Sequence, residues 1–334
     1  MAKRAAAGAL LVWLACAGVP EGRAQQAPPE VVDLAPVVVS GVQPGPGMWR
    51  VTNAQGHTLW ILGTVSPLPA RLDWRADEVK AVIASADAVL GPPGWTLDAD
   101  VGFFSRLTLL PSAMKAQHDP QGRRLQEILP PELYARWQPL KAHYLGRGNG
   151  VEKDRPLVAA TRLYVAALDE VGLSPRSGVG KLLEKAYKAR GLTPVVTRVE
   201  VKVDDPRAAL KEVRASPLQD VACLQRTLDV VEHQMPLLVE RANAWAAGDI
   251  DALQQLALKS QYDACVGAIA DSELGRRRGM TNLDARAAEK WMGAARTALA
   301  GNAVTFATVP VHTLVEPGGY LERLRQAGYH VESP

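Results

Sequence analysis

Hydrophobic residues cluster near both ends of the chain in the way that buried strands do. The segments "MWRV" (48–51) and "TLWILG" (58–63) flank a polar, turn-rich segment (52–57), which is typical of a β-hairpin. Near the C-terminus, "VTFATVP" (304–310) predicts a strand and "YHVE" (329–332) a final edge strand.

A helix and a further strand are predicted directly after the hairpin. In "LDWRADEVKAVIASA" (72–86) apolar residues recur at helical spacing, and Asp73 is the expected N-cap. "DAVLGPPG" (87–94) then predicts a short buried strand. The order strand, helix, strand is a crossover unit and indicates a sheet with helices packed on it.

The middle of the chain is mostly helical in pattern. Helical periodicity extends over 131–145, 156–171, 178–190, 206–214, 217–247, 249–261, 283–299 and 317–327. We expect the long segment to bend at Pro236, and "PVVTRVEVKV" (194–203) predicts one interrupting strand.

These elements predict an α/β (α+β) fold. Its mixed sheet is built from the N-terminal and C-terminal halves, with a large helical insertion, about residues 97–300, between them. The loops after Leu62 and Val309 should then lie on adjacent strands at one edge of the sheet, where α/β proteins tend to keep their chemistry.

The N-terminus predicts export. Lys3 and Arg4 precede an apolar stretch (5–18), and small residues stand before Gln25, which is the pattern of a signal peptide (1–24) cleaved after Ala24. We therefore expect a periplasmic or secreted protein without a transmembrane segment in its mature chain.

The next segment, residues 25–46, contains five prolines and is predicted to be a linker. Residues 47–334 then form the folded domain.

Charge and cysteine content narrow the class of protein further. The net charge is +3, and the signal region contributes about two of these units, so no nucleic-acid partner is indicated.

The cysteine content predicts one disulfide. With Cys16 removed, Cys223 and Cys265 remain, and an even pair in an oxidising compartment is expected to be bonded. Two buried free thiols are the alternative.

No common catalytic motif occurs in the sequence. The chain has six histidines but no HExxH, CxxC, GxSxG or P-loop pattern. Ser66, at a strand end, lacks the glycines of a nucleophile elbow, and His312 is interpreted from its surroundings as a structural, hydrogen-bonded histidine. His118 and His143 are predicted to be surface residues.

Four segments, taken in order, carry a resemblance to a known family. They are "MWRVTNAQGHTLWILGTVSPLP", "SADAVLGPPG", "ANAWAAGDIDALQQL" and "VTFATVPVHTLVEPGGYLERLRQAGYHV". Together, over about residues 47–332, they resemble the TraB/GumN family, which includes the Tiki metalloproteases. The resemblance implies a site of two GxxH histidines, a glutamate and an arginine, holding a metal that activates water for hydrolysis of a peptide or similar bond.

The histidine positions are degenerate in this sequence. The first GxxH is replaced by Gly63-Thr64-Val65-Ser66, with Ser66 in the place of the histidine. The second is Val309-Pro310-Val311-His312, which keeps the histidine and loses the glycine. One histidine cannot hold a catalytic divalent ion, which takes three protein ligands, and a neutral hydroxyl is a poor substitute.

The other two family positions are also altered. The glutamate should fall at Gly91 or Pro92, neither of which can ligate through a side chain, and the arginine corresponds to Arg286. Asp98 or Asp100 are the candidates to replace the missing carboxylate.

Three hypotheses follow. The first is an exported, catalytically degenerate member that binds an unknown peptide, glycan or envelope protein, uses no cofactor, and keeps at most weak metal binding at His312. The second is an active hydrolase using Mn, Co or Zn, with a site rebuilt from His312, an aspartate and Arg286. The third is a structural partner in a cell-envelope complex.

Overall fold

The structure is a computed structural model that describes residues 42–98, 103–215, 220–256, 265, 270 and 272–334. The strands are β1 (Met48–Thr52), β2 (Thr58–Thr64), β3 (Leu68–Pro69), β4 (Ala88–Leu90), β5 (Trp95–Asp98), β6 (Leu173–Ser174), β7 (Val199–Lys202), β8 (Val304–Pro310) and β9 (His330–Glu332). Five of them form the main sheet, in the order β4-β8-β2-β1-β9.

The helices account for most of the remaining described chain. They are α1 (Asp77–Ser85), α2 (Phe103–Ala116), α3 (Leu125–Ile128), α4 (Pro131–Tyr144), α5 (Pro156–Glu170), α6 (Gly178–Ala189), α7 (Pro206–Ala215), α8 (Asp220–His233), α9 (Met235–Ala247), α10 (Ile250–Gln255), α11 (Glu273–Arg277), α12 (Leu283–Gly301), α13 (Val311–Val315) and α14 (Tyr320–Gln326), with a 3₁₀ turn at Val151–Lys153. No helix in the described ranges is long and apolar enough to cross a bilayer.

The predicted mixed sheet is confirmed. β1 and β2 form the antiparallel hairpin, and the Asn53 carboxamide oxygen accepts hydrogen bonds from the backbone N–H groups of Gln55 and His57 in its turn. β2 and β8 pair in parallel from Thr58↔Val304 to Thr64↔Pro310. The N- and C-terminal halves therefore meet at the centre of the sheet, with the helical insertion between them in sequence.

Side chains on the two faces of the sheet enter different cores. Leu62 and Phe306 pack on the face covered by α1 and the helical insertion, while Ile61 and Ala307 pack on the face covered by α12 and α14. This alternation is the period of two that a sheet buried on both faces requires. With both faces covered, the carboxyl ends of the strands are the place left for a site.

The predicted N-cap at Asp73 is wrong. Helix α1 begins at Asp77 after Ala76. The backbone of residues 73–75 is instead held by Gln43, whose N–H donates to Asp73 O and whose carbonyl accepts from Arg75 N–H. This pairing keeps the segment extended and delays the helix by one turn.

The predicted strand 194–203 is shorter in the structure. Only Val199–Lys202 is a strand, and it pairs in parallel with β5 in a separate two-stranded sheet. The residues before it cross the end of β4, where Val195 N–H donates to Val89 O. The sequence pattern did not indicate β5 or helix α2.

The long predicted helix 217–247 is two helices rather than one bent helix. α8 ends at His233, Gln234 lies between the two, and Pro236 sits in the first turn of α9, where a missing N–H costs nothing. The segment predicted to span 249–261 is helical over Ile250–Gln255, and residues 257–261 lie outside the described part of the chain. The helix predicted from 317 begins at Tyr320.

The predicted disulfide is confirmed. Cys223, in α8, is bonded to Cys265, with 4.7 Å between the two Cα atoms. Both residues are buried, and the bond closes a loop over a sequence separation of 42. It ties α8 to the chain that follows α10.

Replacing both cysteines by serine should lower the free energy of unfolding by about 2–4 kcal/mol, because the unfolded chain regains the freedom of that loop. Urea denaturation of the oxidised protein and of the double variant measures the difference. The same denaturation in the presence of a reductant is the control and should affect only the parent protein. Two free thiols in the denatured, unreduced parent would contradict the disulfide.

Candidate functional site

The end of β2 is packed too closely for any side chain at Gly63. A Cβ there would lie 2.7 Å from a ring carbon of Trp49 and 2.7 Å from a methyl group of Val311. These residues come from β1 and α13, so Gly63 lets the hairpin and the C-terminal part meet at the strand end. The glycine of the first degenerate GxxH motif therefore has a packing role that does not depend on a metal.

Helix α9 bonds the backbone of the same strand end. The Trp245 indole N–H donates to Gly63 O at 2.8 Å, and the Arg241 guanidinium donates to Ser66 O at 2.7 Å. Both side chains are buried.

Helix α9 ends directly after these residues, at Gly248 in the left-handed conformation (φ 75°). Asp249 then caps the next helix, α10, by accepting from Ala252 N–H. The segment "ANAWAAGD" thus fastens the insertion to the strand end.

Tyr164 lies beside the buried Arg241. Burial raises the pKa of Tyr164 to about 12, although the charge of Arg241 acts in the opposite direction. The phenol therefore stays neutral at physiological pH.

Ser66 is exposed, and its hydroxyl donates to Pro175 O at 3.4 Å, on the chain between β6 and α6. That contact is to a backbone carbonyl, so nothing among the described contacts of Ser66 makes its hydroxyl a nucleophile. The first histidine position of the family is occupied by a residue with a local structural contact.

The end of β4, where the family's glutamate would stand, is closed by other parts of the chain. The Thr197 hydroxyl lies 2.8 Å from Gly91 O and 2.9 Å from Pro92 O, and the Trp291 indole N–H donates to Gly91 O at 3.2 Å. A Cβ on Gly91 would lie 3.1 Å from Val195 O. Backbone from the helical insertion thus occupies the space around the position of the missing carboxylate.

His312 lies beside the end of β2, as the predicted register requires. Gly63 pairs with Val309 and Thr64 with Pro310, which confirms that the two loops share one edge of the sheet. His312 itself is half-buried in the short helix α13 rather than in a loop, because β8 runs directly into that helix at Pro310.

Two of the other residues predicted for the site, Arg286 and Asp98, lie on α12 and β5. Arg286, on α12, is exposed and donates to Gly279 O at 2.8 Å. Asp98 is exposed at the end of β5, and Asp100 lies outside the described residues.

The described residues do not supply a metal site of the expected kind. Within the described ranges, no group of three or more His, Cys, Asp or Glu side chains is placed to hold an ion. The carbonyl oxygens of Gly63, Ser66 and Gly91 each accept a hydrogen bond from a side chain of the fold. A catalytic divalent ion takes about three protein ligands, and this donor set does not fit one.

The model of the TraB/PrgY/gumN family matches residues 47–333, which covers most of the chain. No curated protein and no solved structure matches the chain.

Replacing Trp245 by Phe should lower the free energy of unfolding by about 1–3 kcal/mol more than the same replacement at Trp49, because it leaves the buried Gly63 carbonyl without its donor. Trp49 is the matched control, since it is equally buried at the same strand end and no described residue accepts from its indole. Denaturant unfolding of both variants measures the difference. Equal losses would show that the indole hydrogen bond contributes nothing beyond packing.

Proposed function

The chain belongs to the TraB/PrgY/gumN family, and we propose that it is an exported member that acts by binding rather than by catalysis. Its ligand or partner is a peptide, a glycan or a protein of the cell envelope. Export is supported by the signal-like N-terminus and by the disulfide, a bond that persists in oxidising compartments.

The observation that carries the proposal is that other parts of the chain occupy the space around Gly91, at the end of β4. The family's glutamate would fall at Gly91 or Pro92, neither of which has a side chain that can ligate a metal. The carbonyls of both residues accept from Thr197, and that of Gly91 also accepts from Trp291. A side chain at Gly91 would meet Val195 O at 3.1 Å, so that backbone would have to shift by a few tenths of an ångström to admit it.

A second candidate, a structural partner in an envelope complex, is favoured by one surface feature. Leu97, Val195 and Val196 are 56%, 47% and 60% exposed on or next to the two-stranded sheet of β5 and β7. Exposed aliphatic side chains are a common feature of protein-binding surfaces.

Metal titration tests the loss of catalysis. The chain from residue 25 onward, stripped with chelator, is titrated calorimetrically with Mn, Co and Zn beside His312→Ala. His143→Ala is the matched control, because that histidine lies on α4 and pairs with Glu170 in the insertion. We expect no binding that depends on His312 and no peptide hydrolysis that His312→Ala abolishes.

Metal binding that depends on His312 would be the contrary result. About one ion bound by the parent chain and by His143→Ala, but not by His312→Ala, together with metal-dependent hydrolysis, would establish a rebuilt active site and overturn the proposal.

A further inference from the structure

A buried carboxylate stands in the helical insertion, on elements separate from the strand-end site. Asp154 follows the 3₁₀ turn Val151–Lys153 and precedes helix α5, and its side chain is 1% exposed. It forms an isolated antiparallel bridge with His118, the second residue after helix α2. Burying a charge costs free energy unless the charge is paired, so the Asp154 carboxylate requires partners.

Two half-exposed cationic side chains share this carboxylate. His118 Nδ1 lies 3.2 Å from Asp154 Oδ1, and Arg162 Nε lies 3.1 Å from Asp154 Oδ2. The side chains of His118 and Arg162 are 53% and 51% exposed. Each partner brings its inner nitrogen to Asp154, His118 to Oδ1 and Arg162 to Oδ2, the second contact being an ion pair without hydrogen-bond geometry. No other described residue pairs with the outer nitrogens, which are Nε2 of the imidazole and the two Nη atoms of the guanidinium.

The hydrogen-bond partners of His118 fix where its proton sits. Nδ1 lies 3.2 Å from Asp154 Oδ1 and 3.2 Å from Lys153 O, and both oxygens are acceptors. Nδ1 therefore carries hydrogen in both charge states, an assignment that follows from the network. Nε2 has a lone pair when the ring is neutral and becomes an outward N–H donor when the ring is protonated.

The neighbouring acids are already paired with other cations. Asp119 is bound by Arg123 at 3.0 Å, and Asp220 by Arg155 at 2.6 Å. The other charged groups near this point of the chain are Lys115, Lys153 and Arg124 together with two acids, Glu152, which lies 3.6 Å from Lys141, and Glu127, which accepts from Arg124 N–H. Burial raises the pKa of Asp154, while Arg162 and His118 act to lower it. The Arg162 charge is therefore half-exposed to solvent, while the Asp154 carboxylate that pairs with it is buried.

We propose that His118 and Arg162 form a binding site for an oxyanion, with phosphate as its best-matched chemistry. The guanidinium fork presents two N–H groups in the geometry that phosphate accepts, and protonated His118 adds a third charge-assisted donor. The common carboxylate orients both groups in advance, which reduces the side-chain freedom lost on binding. Because His118 donates from Nε2 only when protonated, binding should strengthen on acidification.

Inorganic phosphate is the first probe, titrated into the full chain at pH 6 and pH 8 at constant ionic strength. Binding is followed by the ¹⁵N resonances of labelled histidine. We expect a phosphate-dependent shift of His118 Nε2 at pH 6, weaker binding at pH 8, and an affinity about tenfold or more lower in the variants below, the size of one lost charge-assisted hydrogen bond.

Two variants separate binding from folding. His118→Asn keeps a donor where Nδ1 stands and so keeps the contact with Asp154, but it has no outer nitrogen. Arg162→Lys keeps the charge and loses the fork. His143→Asn, at a histidine that pairs with Glu170, is the control and should bind phosphate as the parent does.

Vesicles distinguish the source of the phosphate. Phosphatidylglycerol vesicles that bind the parent but not the two variants, with phosphatidylcholine vesicles inert, would assign the site to a lipid headgroup. Binding of inorganic phosphate without the vesicles would assign it to a soluble ligand. Equal affinity in the parent and in His118→Asn, or no binding of either probe at pH 6, would overturn the proposal.

Discussion

The parallel pairing of β2 with β8 is the contact on which the rest of the structure depends. It joins residues 58–64 to residues 304–310, and it requires Gly63, because Trp49 and Val311 close on that position from two sides. The pairing places the carboxyl ends of the two strands together. The helical insertion then closes over this edge and supplies donors to its free carbonyls, since buried backbone acceptors must be satisfied.

The sheet could be predicted from sequence because its signal is local. Alternating apolar residues in 48–63 and 304–310 indicate strands without reference to any partner. The errors occur where a distant segment decides the outcome. Gln43 holds residues 73–75 extended, and the strand predicted over 194–203 is limited to the residues 199–202 that pair with β5. The local sequence of residues 73–75 and 199–202 does not indicate the distant segment with which each of them pairs.

The candidate site also combines features that the local sequence predicts with features that distant segments determine. The positions of Ser66 and His312 at one edge follow from the parallel register, and the family motif identifies them. The groups that close the site, Arg241, Trp245 and Thr197, belong to the insertion and reach the strand ends only through the tertiary fold. For Trp245 the sequence did offer a signal, because this residue lies in "ANAWAAGDIDALQQL", one of the four segments that carry the family resemblance, whereas nothing in the sequence marked Arg241 or Thr197.

The separation of β2 and β8 along the chain also has a consequence for the order of folding. The strand that lies between β2 and β4 is among the last segments to be synthesised, so the centre of the sheet stays open until the C-terminus has emerged. Closing a loop of about 250 residues costs roughly 5 kcal/mol in chain entropy. Until then β2 and β4 present unpaired edges that can pair with other chains. A nascent chain that stalls before residue 304 would therefore be prone to aggregation.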